Sequence, residues 1–243
     1  MKAVILCGGM GKRMRDVSED IPKPMIEIEG KPILEHQIDY FKKHGITEFV
    51  FCTGHQGDII KKHFKDGKKF GVDIKYSHEK EALGTGGAIK NAEDLINDNF
   101  ILLYGDTMIN IDIEKIMTFH TQHYVCKGCI LTITIHETDH PQDSDLIKIN
   151  EDERVVELFP KPNKEPFPSR LSKSSLFISS KEIFEYLPMI KHDFEKTILP
   201  KLVKEGKVAG YLTNELIRDV GTPERYEKFK KDMWVKKNLK VFE

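Results

Sequence analysis

The first half of the chain alternates between short apolar runs and amphipathic segments. Runs of strand length occur at "KAVILC", "EFVFCT", "VDIKY" and "FILLYGD". Between them, "PILEHQIDYFKKHG" places Leu34, Ile38 and Phe41 at helical spacing before Gly45, and "DIIKKHF" predicts another helix. Strands that alternate with helices predict an α/β fold with a Rossmann-like, mainly parallel sheet flanked by helices.

The middle of the chain is richer in β-strand patterns. "CILTITIHE", "LIKINEDERVVELF" and "SSLFIS" are strand-like, and "INEDERV" is typical of a hairpin connection. We expect these segments to form a small β-rich layer, mixed or antiparallel, appended beside the pocket. Further on, Thr222 can cap a helix that has Pro223 in its first position, which places Asp219 just before that helix. The chain has no internal repeat or linker, which favours a single domain over 1–243.

Three polar segments follow predicted strands, where parallel sheets bind their ligands. They are the glycine loop after "VILC", the loop after "DIKYS", and Asp106 after "ILLYG". Because the carboxyl ends of parallel strands share one edge, we expect these segments to lie close together.

Composition excludes several classes of partner. The 243 residues carry a net charge of −1 with a pI of about 6.8, so no overall field attracts nucleic acid or an anionic membrane. No apolar run approaches the ~18 residues of a membrane span, and no leader pattern is present, which makes a cytoplasmic location the expectation. The four cysteines are typical of reduced core packing. Cys126 and Cys129 form a lone C-x-x-C without a second pair, so we expect no zinc site there.

The glycine loop has two interpretations. It is either a tight turn with solvated charges, or a nest of backbone N–H groups that binds phosphate, with Arg13 as a bidentate partner. A dinucleotide fingerprint is excluded because Met14 stands where its last glycine is needed, and no Walker G-K-[ST] follows. The candidate phosphate-binding residues are Gly8, Gly9, Gly11, Lys12 and Arg13.

Lys23 strengthens the phosphate interpretation. It stands between Pro22 and Pro24, which we expect to fix the backbone in an extended geometry. A lysine that must point at a phosphate gains from such rigidity, whereas a merely solubilising lysine does not.

Five motifs then occur in a characteristic order: "LCGGMGKRM", "PKP", "EALGTGGA", "YGD" and "RDVGTPERY". Together they resemble the signature of the sugar-1-phosphate nucleotidyltransferases, in particular the mannose- and heptose-1-phosphate guanylyltransferases, from residue 2 to about 226. The resemblance implies transfer of a nucleotidyl group from an NTP to a sugar 1-phosphate, with Mg²⁺ as cofactor and pyrophosphate as the second product. It also implies a nucleotide-binding half at about 1–112 and a sugar-phosphate-binding half at about 113–235.

The resemblance assigns roles that suit the chemistry of the residues. Asp106 and Asp219 are the implied Mg²⁺ ligands, since this hard cation favours carboxylate oxygen. Arg13 and Lys23 are the implied catalytic cations, which offset charge on the triphosphate and the leaving pyrophosphate. Leu6 opens the glycine motif and is grouped with the nucleotide-binding residues. The alternatives are a helix cap or loop carboxylate for Asp106 and an ion pair with a neighbouring arginine, 218 or 225, for Asp219.

The base is predicted from a single position. By its place in the motif Glu79 faces the base, Gly84 leaves room for it, and Thr85 follows in the nucleotide-binding segment. A carboxylate only accepts hydrogen bonds, which suits the N1–H and N2–H donors of guanine and favours GTP. Against this, "KPMIEIEGKPILEH" is similar to cytidylyltransferases, which leaves CTP, UTP or dTTP open. Glu79 is alternatively a solvated acid beside Lys80.

The sugar side departs from the family pattern. Glu-Lys-Pro is replaced by Pro160, Lys161 and Pro162, which leaves Lys161 to bind the sugar phosphate unless it is a surface lysine. Asn-Ala-Gly is replaced from Lys173 onwards by "KSS", which adds a positive charge to the pocket. Either the acceptor is an unusual, more anionic phosphate ester, or the family motif does not align with this chain at that segment.

The expected partners are therefore small molecules, an NTP and a sugar 1-phosphate of mannose or heptose type, with no nucleic acid and no membrane. The resemblance leaves a homo-oligomer open. The altered sugar side favours a rival class, a non-catalytic regulatory protein that retains the nucleotide pocket. A glycosyltransferase that consumes an NDP-sugar ranks below both, because it gives no role to Lys23 or to the basic loop at 11–13.

Overall fold

Four parallel strands from the first half of the chain form the centre of the molecule. A computed structural model describes residues 1–9, 14 and 21–239. Strand β1 pairs in parallel with β4 and β6, and β4 pairs in parallel with β5. The strands are β1 (Lys2–Leu6), β4 (Glu48–Thr53), β5 (Asp73–His78) and β6 (Phe100–Tyr104).

Helices cover both faces of this sheet, and the strand residues alternate between two cores. In β1, Val4 packs in one cluster while Ala3 and Ile5 pack in the other, as the period of two in a strand requires. Both cores consist of fully buried aliphatic and aromatic side chains. The helices of the first half are α1 (Ile33–Lys43), α2 (Gly57–Phe64), α3 (Gly84–Asn91) and α4 (Ile113–Lys127).

The β-rich second half extends the same sheet rather than lying beside it. Strand β11 (Leu171–Ser179) pairs antiparallel with β6 and, along its other edge, with β8 (Leu131–Glu137). The predicted hairpin is formed by β9 (Leu146–Ile149) and β10 (Val155–Phe159), and β12 (Val208–Leu212) runs parallel to β8. The predicted class, a mainly parallel sheet flanked by helices with a mixed β-rich extension, is confirmed.

Two small strand pairs and the last helix complete the site's surroundings. Strand β7 (Thr107–Asn110) follows β6 and pairs antiparallel with β13 (Leu216–Asp219). Helix α6 (Pro223–Leu239) begins as predicted, and the hydroxyl of Thr222 accepts the Arg225 N–H at 3.4 Å. The remaining strands are β2 (Glu27–Ile28) and β3 (Lys31–Pro32), and a π-helix at Phe194–Ile198 precedes the remaining α-helix, α5 (Leu199–Lys204).

None of the described helices is long and apolar enough to cross a membrane. Three cysteines are buried thiols, Cys7, Cys52 and Cys129, while Cys126 is exposed on α4; none of the four forms a disulfide. Burial raises the pKa of Cys52 to about 12, so this thiol stays protonated and packs as a small apolar side chain.

Candidate active site

Asp106 and Asp219 come together although 113 positions separate them in the chain. Asp106 lies in the turn between β6 and β7, and Asp219 is the last residue of β13. The pairing of β7 with β13 joins them, and the Val220 N–H extends it by donating to the Asp106 carbonyl at 2.9 Å. The two side chains therefore face each other at the carboxyl edge of the parallel strands.

Gly221 makes this approach possible. A Cβ at this position would lie 2.4 Å from Asp106 Oδ2 and 2.7 Å from Asp219 Oδ1, closer than carbon and oxygen tolerate. The Gly221 N–H also donates to Asp219 Oδ1 at 2.6 Å, which fixes the orientation of that carboxylate. The glycine therefore leaves a small space that is bordered by two acidic oxygens.

Lys23 projects into the same space. Its Nζ lies 3.5 Å from Asp106 Oδ2 and donates to the Gly221 carbonyl at 3.1 Å, and its side chain is only 13% exposed. The expectation of an extended backbone holds for Pro22 and is wrong for Lys23, which begins a 3₁₀ turn over Lys23–Met25. The turn forms because the Met25 N–H donates to the Pro22 carbonyl, at 2.8 Å.

The pKa of Asp106 is raised above the ordinary aspartate value. Burial is the largest cause, and repulsion from Asp219 adds to it, while the Lys23 ammonium partly offsets both. A buried carboxylate next to a second carboxylate is stabilised by any cation that enters the space between them. The pair therefore has the electrostatics of a cation site.

Asp219 also forms the ion pair that the sequence offers as its alternative role. Arg225, on the first turn of α6, donates through its guanidinium to Asp219 Oδ2. Arg218 instead pairs with Asp232. Convergence with Asp106 and pairing with an arginine therefore coexist at Asp219.

Glu79 lies at the same edge of the sheet, directly after β5. Its Oε2 accepts the Leu83 N–H at 3.0 Å. Its Oε1 lies against two glycines, 2.9 Å and 2.6 Å from the positions that a Cβ on Gly8 or Gly54 would occupy. Burial raises the pKa of this carboxyl, while the Leu83 N–H and His78 lower it in part. Glu79 is thus half-buried and held in place by the Leu83 N–H, and its role in base recognition stays a prediction.

The motif "EALGTGGA" is attached to a segment far along the chain. Gly84 has a φ of +73°, and a Cβ there would lie 2.4 Å from the His192 carbonyl oxygen. The Thr85 hydroxyl accepts the Phe194 N–H at 2.8 Å. The structure thus supplies a second reason for a glycine at 84, since its backbone fits closely against His192, whereas the roles of both residues toward a nucleotide stay predictions.

The start of the glycine loop borders the site. The Leu6 carbonyl accepts the Gly105 N–H at 3.0 Å, which fastens the end of β1 beside Asp106. Gly8 packs against Glu79, and among the described residues none lies within 4 Å of the point that a Cβ on Gly9 would occupy. The predicted phosphate-binding residues Gly11, Lys12 and Arg13 lie outside the described residues.

Lys173 is surrounded by acidic groups. Its ammonium pairs with Glu195 Oε2 and lies 3.4 Å from Asp145 Oδ2, with the lysine side chain 12% exposed. Tyr104, at the end of β6, donates to the other Glu195 oxygen at 2.8 Å. Lys173 stands where the pairing of β11 with β8 shifts register, a bulge that redirects its side chain. Its charge is already balanced, so its predicted contact with a substrate phosphate stays a prediction.

Lys161 is exposed and lies near the same cluster. Its backbone N–H donates to Asp145 Oδ1 at 3.1 Å. Burial alone would raise the pKa of Asp145, but this N–H and the Lys173 ammonium hold it below its usual value. The structure therefore places Lys161 at the rim of the Lys173 cluster.

The sequence reasoning did not single out Glu195 and Tyr104 as members of this cluster. Glu195 lies 22 positions after Lys173, and no motif marks it as a partner. For Tyr104 the sequence pattern predicts only a place in a buried strand. Gly221 carried a detectable signal, because it lies within "RDVGTPERY" between Asp219 and the helix.

Comparison with known proteins identifies the family of the chain. The family model described as Nucleotidyl transferase matches residues 2–234. D-glycero-alpha-D-manno-heptose 1-phosphate guanylyltransferase of Campylobacter jejuni is 34% identical over 230 residues, which cover 94% of this chain and 98% of that protein. Mannose-1-phosphate guanyltransferase beta-B of Xenopus laevis is 30% identical over 93% of this chain and 62% of its own length.

A solved structure of a related protein shares the fold over nearly the whole chain. The crystal structure of HddC from Yersinia pseudotuberculosis complexed with GMP-PN superposes with a TM-score of 0.79 at 31% identity, covering 96% of this chain and 99% of that one. The fold and the family match thus define an α/β enzyme of nucleotidyl transfer. The chain belongs to the nucleotidyl transferase family, and the resemblance to the sugar-1-phosphate nucleotidyltransferases predicted from its motifs is confirmed.

Proposed function

We propose that this enzyme transfers a guanylyl group from GTP to a sugar 1-phosphate of mannose or heptose type, in a reaction that depends on Mg²⁺. The products are the GDP-sugar and pyrophosphate. The observation that carries the proposal is the convergence of Asp106, Asp219 and Lys23 around Gly221 at the carboxyl edge of the parallel strands. The guanylyltransferase names of several relatives, and GMP-PN in a related crystal structure, support the choice of base.

The proposed reaction needs no nucleophile from the protein. An oxygen of the acceptor phosphate attacks the α-phosphorus of GTP, the bond between the α-phosphorus and the bridging oxygen breaks, and that oxygen leaves with pyrophosphate. Phosphoryl-type transfer of this kind depends on alignment and charge neutralisation. Lys23, partly buried and anchored on the Gly221 carbonyl, brings a fixed positive charge to this point. Lys12 and Arg13 are proposed to bind the remaining phosphate oxygens.

The two aspartates fit Mg²⁺. The raised pKa of Asp106 reflects burial and the facing carboxylate, a situation that a divalent cation relieves. Mg²⁺ is commonly bound by one or two carboxylates together with waters and substrate phosphates. Asp106 and Asp219 would hold the ion, and when bound it would offset the negative charge that develops on the phosphates.

Glu79 is proposed to select guanine. One of its oxygens already accepts the Leu83 N–H, and each carboxylate oxygen has a second lone pair for a donor of the base. Ionised Glu79 can therefore accept from N1–H and N2–H of guanine. The base would lie beside Gly8, Gly84 and Thr85.

The acceptor is proposed to bind in the half of about 113–235, with Lys161 at its phosphate, while the nucleotide binds in the half of about 1–112. The Lys173 cluster carries two carboxylates for one ammonium, which favours an acceptor whose sugar is uncharged over a more anionic ester. Lys173 then acts by holding Glu195 and Asp145 in place at the edge of the acceptor pocket.

The direct test is to incubate the protein with each NTP, Mg²⁺ and a panel of sugar 1-phosphates and to follow pyrophosphate release. We expect the highest kcat/KM for GTP with a mannose- or heptose-type 1-phosphate. Asp106→Asn is expected to lower kcat by several orders of magnitude, because the charge that holds the metal has no substitute. Asp66→Asn, which removes an exposed carboxylate paired with Lys68, is the matched control and is expected to retain activity.

The outcomes separate the rival functions. Turnover with a pyrimidine NTP in place of GTP would contradict the base assignment and leave the reaction class standing. Nucleotide binding in a calorimeter without turnover on any acceptor would identify a non-catalytic regulatory protein. We also propose that the enzyme works in the cytoplasm as part of nucleotide-sugar and polysaccharide biosynthesis. Homo-oligomerisation stays a prediction, which light scattering on the purified protein tests.

A further inference from the structure

Each of the two site carboxylates already has its own cation from the protein. Asp106 Oδ2 faces the Lys23 ammonium at 3.5 Å, and Asp219 Oδ2 accepts from the Arg225 guanidinium. Asp219 Oδ1 is held by the Gly221 N–H. Asp219 is thus fully engaged by the protein, through one oxygen to the backbone and through the other to Arg225.

The two protein cations are held very differently. Lys23 has a 13% exposed side chain and a second partner in the Gly221 carbonyl. The Arg225 side chain is 49% exposed, and Asp219 is its single ion-pair partner in the described part of the chain. The guanidinium of Arg225 can therefore turn out to water at little cost, because an exposed cation keeps its hydration. Departure of Lys23 would break a second contact, because its ammonium also donates to the Gly221 carbonyl.

The backbone of Arg225 is nevertheless fixed. Its N–H donates to the Thr222 hydroxyl at 3.4 Å, in the capped first turn of α6. Only six positions separate Arg225 from Asp219, so the two groups meet through a local turn and do not depend on other elements of the fold. A rotation of the arginine side chain alone makes or breaks the ion pair.

We propose that Arg225 is a positioning residue that occupies Asp219 before the divalent cation arrives and competes with that cation for Oδ2. In this role it sets the concentration of Mg²⁺ at which the site fills, while the Gly221 N–H keeps Asp219 oriented through Oδ1. The inference rests on the proposed function for the identity of the cation. It adds that the cation affinity of this site is lowered by a residue of the chain itself.

Competition by Arg225 and structural support by Arg225 predict opposite changes in the cation affinity of the site when the arginine is replaced. If Arg225 competes, Arg225→Gln removes a unit charge next to the metal carboxylate and strengthens cation binding, by roughly tenfold for a half-exposed charge at contact distance. If Arg225 only supports the fold of the site, the same substitution releases Asp219 and weakens cation binding. The sign of the change therefore decides between the two roles.

The experiment is a titration of the nucleotide-free protein with Mn²⁺, in which free Mn²⁺ is measured by electron paramagnetic resonance. We expect the Kd for Mn²⁺ to fall roughly tenfold in Arg225→Gln. The matched control is Arg218→Gln, which removes an arginine charge adjacent in sequence to Asp219 but paired with Asp232, and is expected to shift the Kd less than twofold. Arg225→Lys, which retains the charge, is expected to stay near the wild-type value.

A second measurement extends the test to the working enzyme. The Mg²⁺ concentration at half-maximal turnover is expected to fall in Arg225→Gln and to stay unchanged in Arg218→Gln. An equal or higher Kd for Mn²⁺ in Arg225→Gln, or no Mn²⁺ binding in any variant, would overturn the inference. Failure of the proposed function is distinguishable, because it appears as absent turnover in the wild-type protein and leaves the comparison of Mn²⁺ affinities intact.

Discussion

Two carboxyl groups of the candidate site lie in surroundings that favour their neutral forms. Burial raises the pKa of both Asp106 and Glu79, and each has only part of this effect offset by a neighbouring donor or cation. A ligand can stabilise the ionised form of such a carboxylate where the protein does so only in part. For Asp106 that ligand would be a cation, and for Glu79 it would be a base with N–H donors. The same property makes both residues sensitive to conservative substitution.

Glu79→Gln is expected to lower kcat/KM for GTP roughly 10- to 100-fold, because a hydrogen bond to a charged acceptor contributes about 1.5–3 kcal/mol. The amide presents a donor where guanine also presents donors. Activity with UTP or dTTP is expected to rise relative to that with GTP. The measurement is kcat/KM for each NTP at fixed Mg²⁺ and acceptor.

Glu81→Gln is the control for this substitution, since Glu81 is an exposed acid in the same loop. It is expected to leave the order of preference among the nucleotides unchanged. An unchanged preference in Glu79→Gln would remove the assignment of Glu79 to the base.

His120 gives the stability of the protein a pH dependence that is unrelated to the site. It is fully buried between α4 and β8, its Nδ1 lies 2.9 Å from the Thr132 hydroxyl, and burial lowers its pKa from 6.5 to about 4. Its Nε2 has no hydrogen-bond partner among the described residues. The neutral imidazole is therefore the form that the fold accommodates.

We expect the free energy of unfolding to decrease as the pH falls below about 6.5. In this range His120 binds a proton in the unfolded chain, whereas in the native chain its lowered pKa keeps it neutral until about pH 4. The free energy of unfolding falls by on the order of 3 kcal/mol once the pH is below the pKa of His120 in both the unfolded and the native state. His120→Gln is expected to flatten this part of the profile, as measured by urea unfolding between pH 7.5 and 5. His140→Gln, at an exposed histidine, is expected to keep the wild-type slope.

At the scale of elements, the Lys173 cluster joins three parts of the second half. Lys173 comes from the bulge of β11, Glu195 from the turn at Phe194–Ile198, and Asp145 from the connection that precedes β9. Tyr104 links the cluster to β6, two positions before Asp106. The cluster therefore couples the packing of the predicted acceptor side to the strand that carries a site carboxylate.

Lys173→Met is expected to lower the free energy of unfolding by about 2–4 kcal/mol, since removing one member of a largely buried ion pair leaves a charge uncompensated. Here two carboxylates lose their shared cation. Chemical denaturation followed by circular dichroism measures the change. Lys148→Met, at an exposed lysine on the neighbouring strand β9, is expected to stay within about 0.5 kcal/mol of the wild type, and equal effects of the two substitutions would show that the cluster contributes no stability.

The sequence was informative wherever a local pattern determines structure. The strands β1, β4, β5 and β6 and the helices α1 and α2 follow from apolar runs and helical spacing, and the position of Glu79 and Asp106 at one edge agrees with the rule that parallel strands share one ligand edge. Asp219 joins them through the antiparallel pairing of β13 with β7, which only the family resemblance implied. The reversal of direction at β11 was not specified, because strand patterns alone do not encode which edge a strand joins. The partners of Lys173 and the coexistence of both roles at Asp219 depend on side-chain reach in the folded chain, which spacing does not reveal.

At the scale of the whole molecule, ligand binding links the site to global stability. A ligand that binds only the native state stabilises it by about 2.7 kcal/mol at a hundredfold excess over its Kd. For a chain of this size that corresponds to a rise in Tm of roughly 5–10 °C. We expect GTP with Mg²⁺ to produce such a rise in a thermal-shift experiment.

In Asp219→Asn, we expect Mg²⁺ to add no further rise in Tm to that produced by GTP. GTP alone is expected to shift the Tm as it does for the wild type. The matched substitution Asp232→Asn, at the partner of Arg218, is expected to retain the increment. An undiminished effect of Mg²⁺ in Asp219→Asn would place the cation elsewhere.

The pairing of β7 with β13 has a consequence for the order in which the protein becomes competent during its synthesis. Asp106 leaves the ribosome 113 residues ahead of Asp219. At about 5–20 residues per second, the nascent chain spends roughly 6–23 s with β1, β4, β5 and β6 available but with only one of the two site carboxylates and no Arg225. A nascent chain that lacks Asp219 and Arg225 therefore cannot assemble the two-carboxylate centre, so translation itself delays the onset of the proposed chemistry until β13 and the first turn of α6 have been synthesised.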